Sequence, residues 1–312
     1  MRPDDENGDF YAAEAAAGRV EGDASSFCGK PFFGFGDMWD VLAPDIDDRI
    51  ARYLQLAKLC GNFRAAGSGA SACYLDYPEC GALVGVRMAV VDNGEDAELE
   101  TVYPVFAGYP ARAGIVARYD WDNGLCGFVS VSVPEGPSLD FFVPSYGMSR
   151  GLCVPGSRVG IAVSGLAIKL EKIRQASFAI ERGPLYEMQL ARFLEKNPGA
   201  SVADFEAPVV SMEGAVMAFP SRTTCWYNII APVRDAVEVL FDGRVFYRLL
   251  LPIARSEAGE EMSAYIYAAK DADRASRPAA GDMVECLAWL CADITPDGRA
   301  DPRAAGRHWS DI

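Results

Sequence analysis

From residue 81 onward, apolar positions recur in short runs broken by Gly, Asn, Asp and Pro, the pattern of β-strands joined by turns. The runs GALVGVRMAVVD and ELETVYPVFAG flank Asp92-Asn93-Gly94, and GIVARYDW and GLCGFVSVSV flank Asp122-Asn123-Gly124. Asn-Gly supplies the positive φ angles that tight hairpins need, so both sites are predicted hairpin turns. The predicted strands are 82–91, 99–107, 113–119, 125–133, 139–145 and 158–169. A six-stranded meander of that length closes into a small barrel or folds as a sandwich. Later the pattern returns in EAPVVSMEGAVMAF, TCWYNIIAPV, AVEVLF, RVFYRLLLPIA, SAYIYAA and DMVECLAWLCADI, with a further hairpin at Asp242-Gly243.

Helical spacing occupies two other places. Between Phe32 and Arg64, Asp37 is a candidate cap for a short helix that Pro44 interrupts, and Asp45 a cap for the next. In that second helix Ile46, Ile50, Tyr53, Leu54 and Ala57 form one apolar stripe, and the helix is expected to end near Gly61. The other helix starts at Pro184, a residue suited to the first helical position. It uses Leu185, Met188 and Phe193 as an apolar face and stops at Asn197-Pro198.

The stretches 138–170 and 262–294 end alike: an aromatic strand, a polar connection, a Pro and a Gly, then a long apolar strand, with Val159 following Gly156 as Val284 follows Gly281. Internal duplication is one reading of this; chance similarity of Gly-punctuated strands is the other. The expected division is an acidic tail over 1–27, a helical segment over 28–66, a first β-unit over 67–172, a helical connector over 173–204, a second β-unit over 205–294 and a flexible tail over 295–312. The expected fold class is mainly β (α+β), with two small barrel-like or sandwich-like, OB-like units.

Charge narrows the partners. The chain of 312 residues carries a formal net charge of −15, which repels phosphate backbones and anionic membrane surfaces. No apolar run reaches membrane-spanning length, and the acidic start lacks the basic, apolar character of a secretory signal, so a cytoplasmic location is expected. The nine cysteines, Cys28, Cys60, Cys73, Cys80, Cys126, Cys153, Cys225, Cys286 and Cys291, contain no C-x-x-C pair. They read as reduced residues of the core rather than a metal or disulfide framework.

Candidate chemistry is sparse. The single histidine, His308, falls in the C-terminal tail beside Trp309, which removes the usual base of nucleophilic and acid–base catalysis from the body of the chain. Asp47-Asp48 and Glu260-Glu261 are adjacent and point apart, while Asp120 and Asp122 read as turn chemistry. Gly67-Ser68-Gly69-Ala70-Ser71 lacks the lysine of a phosphate-binding loop and reads as a link, and Phe32-Phe33-Gly34-Phe35-Gly36 as a docking segment. Phe141, Phe142, Tyr146, Trp226, Tyr227, Phe246, Tyr247, Tyr265 and Tyr267 are candidate stacking platforms, but only Arg222, Arg244 and Arg248 lie near them. No catalytic, cofactor-binding or metal-ligating residue is therefore assigned and no cofactor is expected. The reading is a non-catalytic binding or assembly module whose partner is another protein. The alternatives are a carboxylate-based enzyme without histidine and a small-ligand or single-stranded nucleic-acid binder using a barrel face.

Overall fold

The computed structural model describes residues 35–66, 69–121, 124–132, 136–173, 177–180, 182–220, 224–256, 258–270 and 277–295. The expected tails, including His308 and Trp309, lie outside the described residues, apart from Thr295. So do Cys28, Phe32-Phe33-Gly34, Gly67-Ser68, Asp122-Asn123 and Arg222.

Helices α1 (Phe35–Leu42) and α2 (Ile46–Leu56) lead into four antiparallel strands, β1 (Lys58–Arg64), β2 (Ser71–Tyr77), β3 (Val84–Asp92) and β4 (Ala97–Phe106), paired in chain order. There follow β5 (Tyr109–Trp121), β6 (Cys126–Ser132), β7 (Ser138–Val143), the short helix α3 (Tyr146–Ser149) and β8 (Arg158–Lys172). An excursion carries β9 (Ser177–Ala179), α4 (Pro184–Lys196) and β10 (Val209–Ser211). The chain then completes its main sheet with β11 (Met217–Pro220), β12 (Trp226–Pro232), β13 (Asp235–Phe241), β14 (Arg244–Arg255), β15 (Glu261–Ala269) and β16 (Met283–Thr295).

The main sheet is organised by β8 and β16, which pair antiparallel from Gly160 opposite Thr295 to Lys172 opposite Val284. Each is longer than any one neighbour on its other edge. There β8 takes β5 over Arg158–Val163 and then β15, in parallel, over Ser164–Ala167. In the same way β16 takes β12 over Met283–Trp289 and then β7, in parallel, at Cys291. The circuit β5–β6–β7–β16–β8 is a closed five-stranded barrel. On the other side β15–β14–β13 extend from β8, and β12–β11 from β16. Between β12 and β13 the chain bends: Val233 donates its N–H to the Asp282 carbonyl at 2.8 Å, and the next residue, Arg234, donates to Leu250 on β14 at 2.8 Å.

Both long strands are nearly continuous apolar sequence because both of their faces are covered. One face of the pair, with Val159, Ile161 and Val163 on β8 and Ala288, Leu290 and Ala292 on β16, joins the core inside the strands. The other face, with Leu166, Trp289 and Cys291, joins a second core with Phe142 and Tyr267. The four-stranded sheet and the two N-terminal helices close over it with Tyr74, Val86, Met88, Tyr103, Met38, Leu42 and Tyr53.

The mainly β class holds, and β3 to β8 fall within a few residues of the predicted strands. Several details differ from expectation. The strands of the two stretches share the main sheet, because β8 and β16 each have more edge than the strands of their own stretch cover. The second helix ends at Leu56 and the chain is already a strand at Lys58, since Ala57 turns to an extended conformation and β1 finds its partner in β2. Asp37 lies inside α1, and Asp45, though at the N-cap of α2, makes no capping bond; its carboxylate instead pairs with Arg49 at 2.6 Å. Leu54, assigned to the buried stripe, is exposed, while Ile46 and Tyr53 are buried. In the excursion, α4 begins at Pro184 and is capped at Asn197 as expected, but Met188 is exposed.

Gly165 sits where β8, β15 and β16 run side by side. A Cβ there would lie 2.8 Å from the Trp289 carbonyl oxygen and 3.0 Å from side-chain atoms of Ile266 and Leu290. The backbone contact cannot give way without moving the pairing. A Gly165→Val variant is expected to lose about 1–3 kcal/mol of unfolding free energy, the usual range for overpacking, as measured by urea denaturation.

Candidate functional site

The main concentration of polar chemistry lies in the N-terminal sheet. Strand β2 reads Ser-Ala-Cys-Tyr-Leu-Asp-Tyr, with Ala72, Tyr74 and Asp76 turned inward. The alternation that buries an alanine and a tyrosine therefore buries a carboxylate as well, and Asp76 is only 1% exposed. Its cross-strand partner on β3 is Arg87. The guanidinium grips the carboxylate with two bonds, Nε to Oδ1 and Nη2 to Oδ2, both 2.7 Å, and lies 5.0 Å from the centre of the Tyr74 ring. Burial opposes the charge on Arg87, but Asp76 outweighs it and holds the guanidinium protonated.

Two thiols complete the cluster. Cys60 is the extra residue of a β-bulge in β1, between Leu59 opposite Leu75 and Gly61 opposite Tyr74. It accepts a hydrogen bond from Arg87 Nη2 at 3.4 Å. Cys80, exposed in the connection between β2 and β3, donates to the Leu59 carbonyl at 3.6 Å. The sulfurs of Cys60 and Cys80 and a carboxylate oxygen of Asp76 all lie within 4.8 Å of one another. Burial pushes the Cys60 thiol well above its ordinary range, with Arg87 pulling the other way. This cluster escaped the sequence reading because its thiols stand twenty positions apart, because β1 fell in the expected helical segment and because no strand was predicted before residue 82. The inward position of Asp76 in an alternating run was the available signal.

Two further clusters fasten elements together. Tyr146 of α3 donates its hydroxyl to Asp120 at the end of β5, and Arg150 pairs with the same carboxylate. Asp120 thus anchors α3 to the barrel rather than shaping a turn. At the β13–β14 hairpin, Asp242 and Gly243 adopt φ of 45° and 82°, as an Asp-Gly turn requires. The Asp242 carboxylate receives Tyr53 at 2.6 Å and Arg49, both from α2. Burial pushes Asp242 up, but those two hydrogen bonds outweigh it and hold the carboxyl below its usual range. Burial, and then the bond to Asp242, push Tyr53 up to about 12.

The other candidates fall apart in space. Phe141, Phe142, Tyr146, Trp226, Tyr227, Phe246, Tyr247, Tyr265 and Tyr267 are all buried, so these rings belong to the two cores and present no face to a base. Asp47, Asp48 and Glu260 are exposed, and Glu261 pairs with Arg255 at 2.5 Å. Cys126, Cys153, Cys225, Cys286 and Cys291 are buried. Among the described residues no helix is long and apolar enough to cross a membrane. No family model matches the chain, and no relative is found among the curated proteins.

Removing Arg87 strands a buried carboxylate. Arg87→Met is expected to lower stability by about 3–5 kcal/mol, whereas Asp76→Leu combined with Arg87→Met recovers most of that loss, as read by denaturant melts of both variants. At the hairpin the sign runs with a depressed carboxyl. Its contribution is present above the unfolded value of about 3.9 and disappears as pH falls through the folded one. Asp242→Asn is therefore expected to cost about 1 kcal/mol at neutral pH, with the gap to the parent chain closing below about pH 4 in pH-resolved melts.

Proposed function

We propose that the protein is a non-catalytic binding or assembly module, built by duplication of one β-unit and directed at another protein. Support for duplication comes from register. Phe142 stands opposite Cys291 and Tyr267 opposite Leu166, so both members of the second pair are displaced by 125 positions from the first. At the same displacement, Gly156 and Gly281 have φ of 85° and 93°. Gly156 donates to Ile115 at 2.8 Å and Gly281 to Val233 at 2.9 Å, while Ile115 donates to Ser157 at 2.9 Å as Val233 does to Asp282 at 2.8 Å. These reciprocal bonds, made by residues 125 positions apart on one side and 118 on the other, favour duplication over chance resemblance of two apolar strands.

Support for a binding role comes first from how the carboxylates are used. Asp76, Asp120, Asp242, Glu261 and Asp282 are each held by an arginine or lysine and serve to join elements. The observation that carries the reading is the excursion between β8 and β11. Among its described side chains from 177 to 216 none is buried; Tyr186 and Phe193 rest on Phe205, each at 5.4 Å between ring centres, and Met188, Val202 and Val209 stay exposed. Ordering such a segment recovers little by burial within the chain, and a protein surface supplies the missing contact.

The test compares the full chain with one in which residues 177–216 are replaced by a short Gly-Ser linker, using in-cell cross-linking and mass spectrometry. The shortened chain is expected to melt cooperatively near the parent midpoint and to lose the cross-links that the full chain makes to a second protein. Cross-links that survive the deletion, or a large thermal shift of the full chain with a nucleotide or sugar, would overturn the reading.

A further inference from the structure

We propose that Cys60 and Cys80 are a modification site, a dithiol that hydrogen peroxide closes to a reversible disulfide. The two sulfurs lie within 4.8 Å of each other, and a disulfide needs about 2.05 Å. Rotation about the side-chain bonds can cover that gap, because neither residue is fixed by strand pairing. Cys60 is the bulged residue without a cross-strand partner, and Cys80 lies in a connection that continues through Gly81 at φ 77°.

The two thiols differ in a way that assigns their roles. Cys80 is exposed and meets the oxidant; Cys60 is half-buried beside Arg87 and resolves the product. In the first step the Cys80 thiolate attacks one peroxide oxygen, the O–O bond breaks, and the sulfur becomes a sulfenic acid as hydroxide leaves and takes up the thiol proton. In the second, Cys60 gives up its proton and its sulfur displaces the sulfenic oxygen, which leaves as water. Two thiols and one peroxide yield one disulfide and two waters. The Arg87 guanidinium, 3.4 Å from the Cys60 sulfur, stabilises the negative charge that develops there.

A divalent metal is the competing use of the same atoms. Arg87 argues against it, since its fork already occupies both oxygens of Asp76 and its charge faces the would-be ligands.

The experiment exposes the full chain to one equivalent of hydrogen peroxide, blocks remaining thiols and maps the peptides by mass spectrometry. The expected result is a peptide pair joined through Cys60 and Cys80, short of two hydrogens and released by a reductant. Cys80→Ser is expected to form no such link. Cys60→Ser should halt at a sulfenic acid on Cys80 that a cyclic diketone traps. Both variants should melt as the parent does. Two free thiols after oxidation would overturn the proposal, as would oxidation of Cys80 to the same end product with or without Cys60. So would about one zinc ion per purified chain that shields both thiols from alkylation.

Discussion

The pairing of β8 with β16 is the constraint on which the molecule depends. Each strand has one edge given wholly to the other and a second edge divided between two further strands, one antiparallel and one parallel. That division pairs the second edge of β8 over 158–167 and most of that of β16 over 283–291, an edge that open sheets leave unmet at their margins. It also explains the composition of the pair. Small residues such as Gly165, Ala167, Ala288 and Ala292 recur because strands approach from several directions, and Leu166 and Trp289 pack in the core shared with the overlying layer.

That overlying layer is held by a small number of directed bonds as well as by apolar contact. Tyr74 accepts from the Gly147 amide at 2.8 Å, Tyr103 donates to the Pro144 carbonyl at 3.0 Å, and Tyr267 donates to the Ala107 carbonyl at 2.8 Å. Each buried phenol reaches a connection between strands, where backbone groups lack a sheet partner. The Asp76–Arg87 fork belongs to the same class. A buried ion pair contributes little net stability, but only one register of β2 on β3 satisfies it. The layer is thus aligned by its polar groups and bound by its apolar ones.

Much of this was legible from residue order. Alternation and Asn-Gly or Asp-Gly turns located β3 to β8 and β12 to β16, since a half-buried strand writes its two faces into its sequence. Strands β1 and β2 were hidden for a physical reason. β1 is an edge strand with little burial, and β2 spends an inward position on a carboxylate that only Arg87 makes tolerable. The sharing of β8 and β16 was out of reach, because a continuous apolar run says that both faces are covered and not by which strands. The dithiol was hidden likewise, its proximity being a product of the bulge at Cys60.

The borrowing of β16 by the five-stranded barrel sets the order in which the chain can mature. Strands β5 to β8 leave the ribosome long before Thr295, yet the ring they belong to lacks a stave until that last segment arrives. The nascent polypeptide must carry an open seam between β7 and β8 from the completion of β8 until β16 is made, a state in which chaperones have surface to hold and a premature stop codon leaves the ring unclosed.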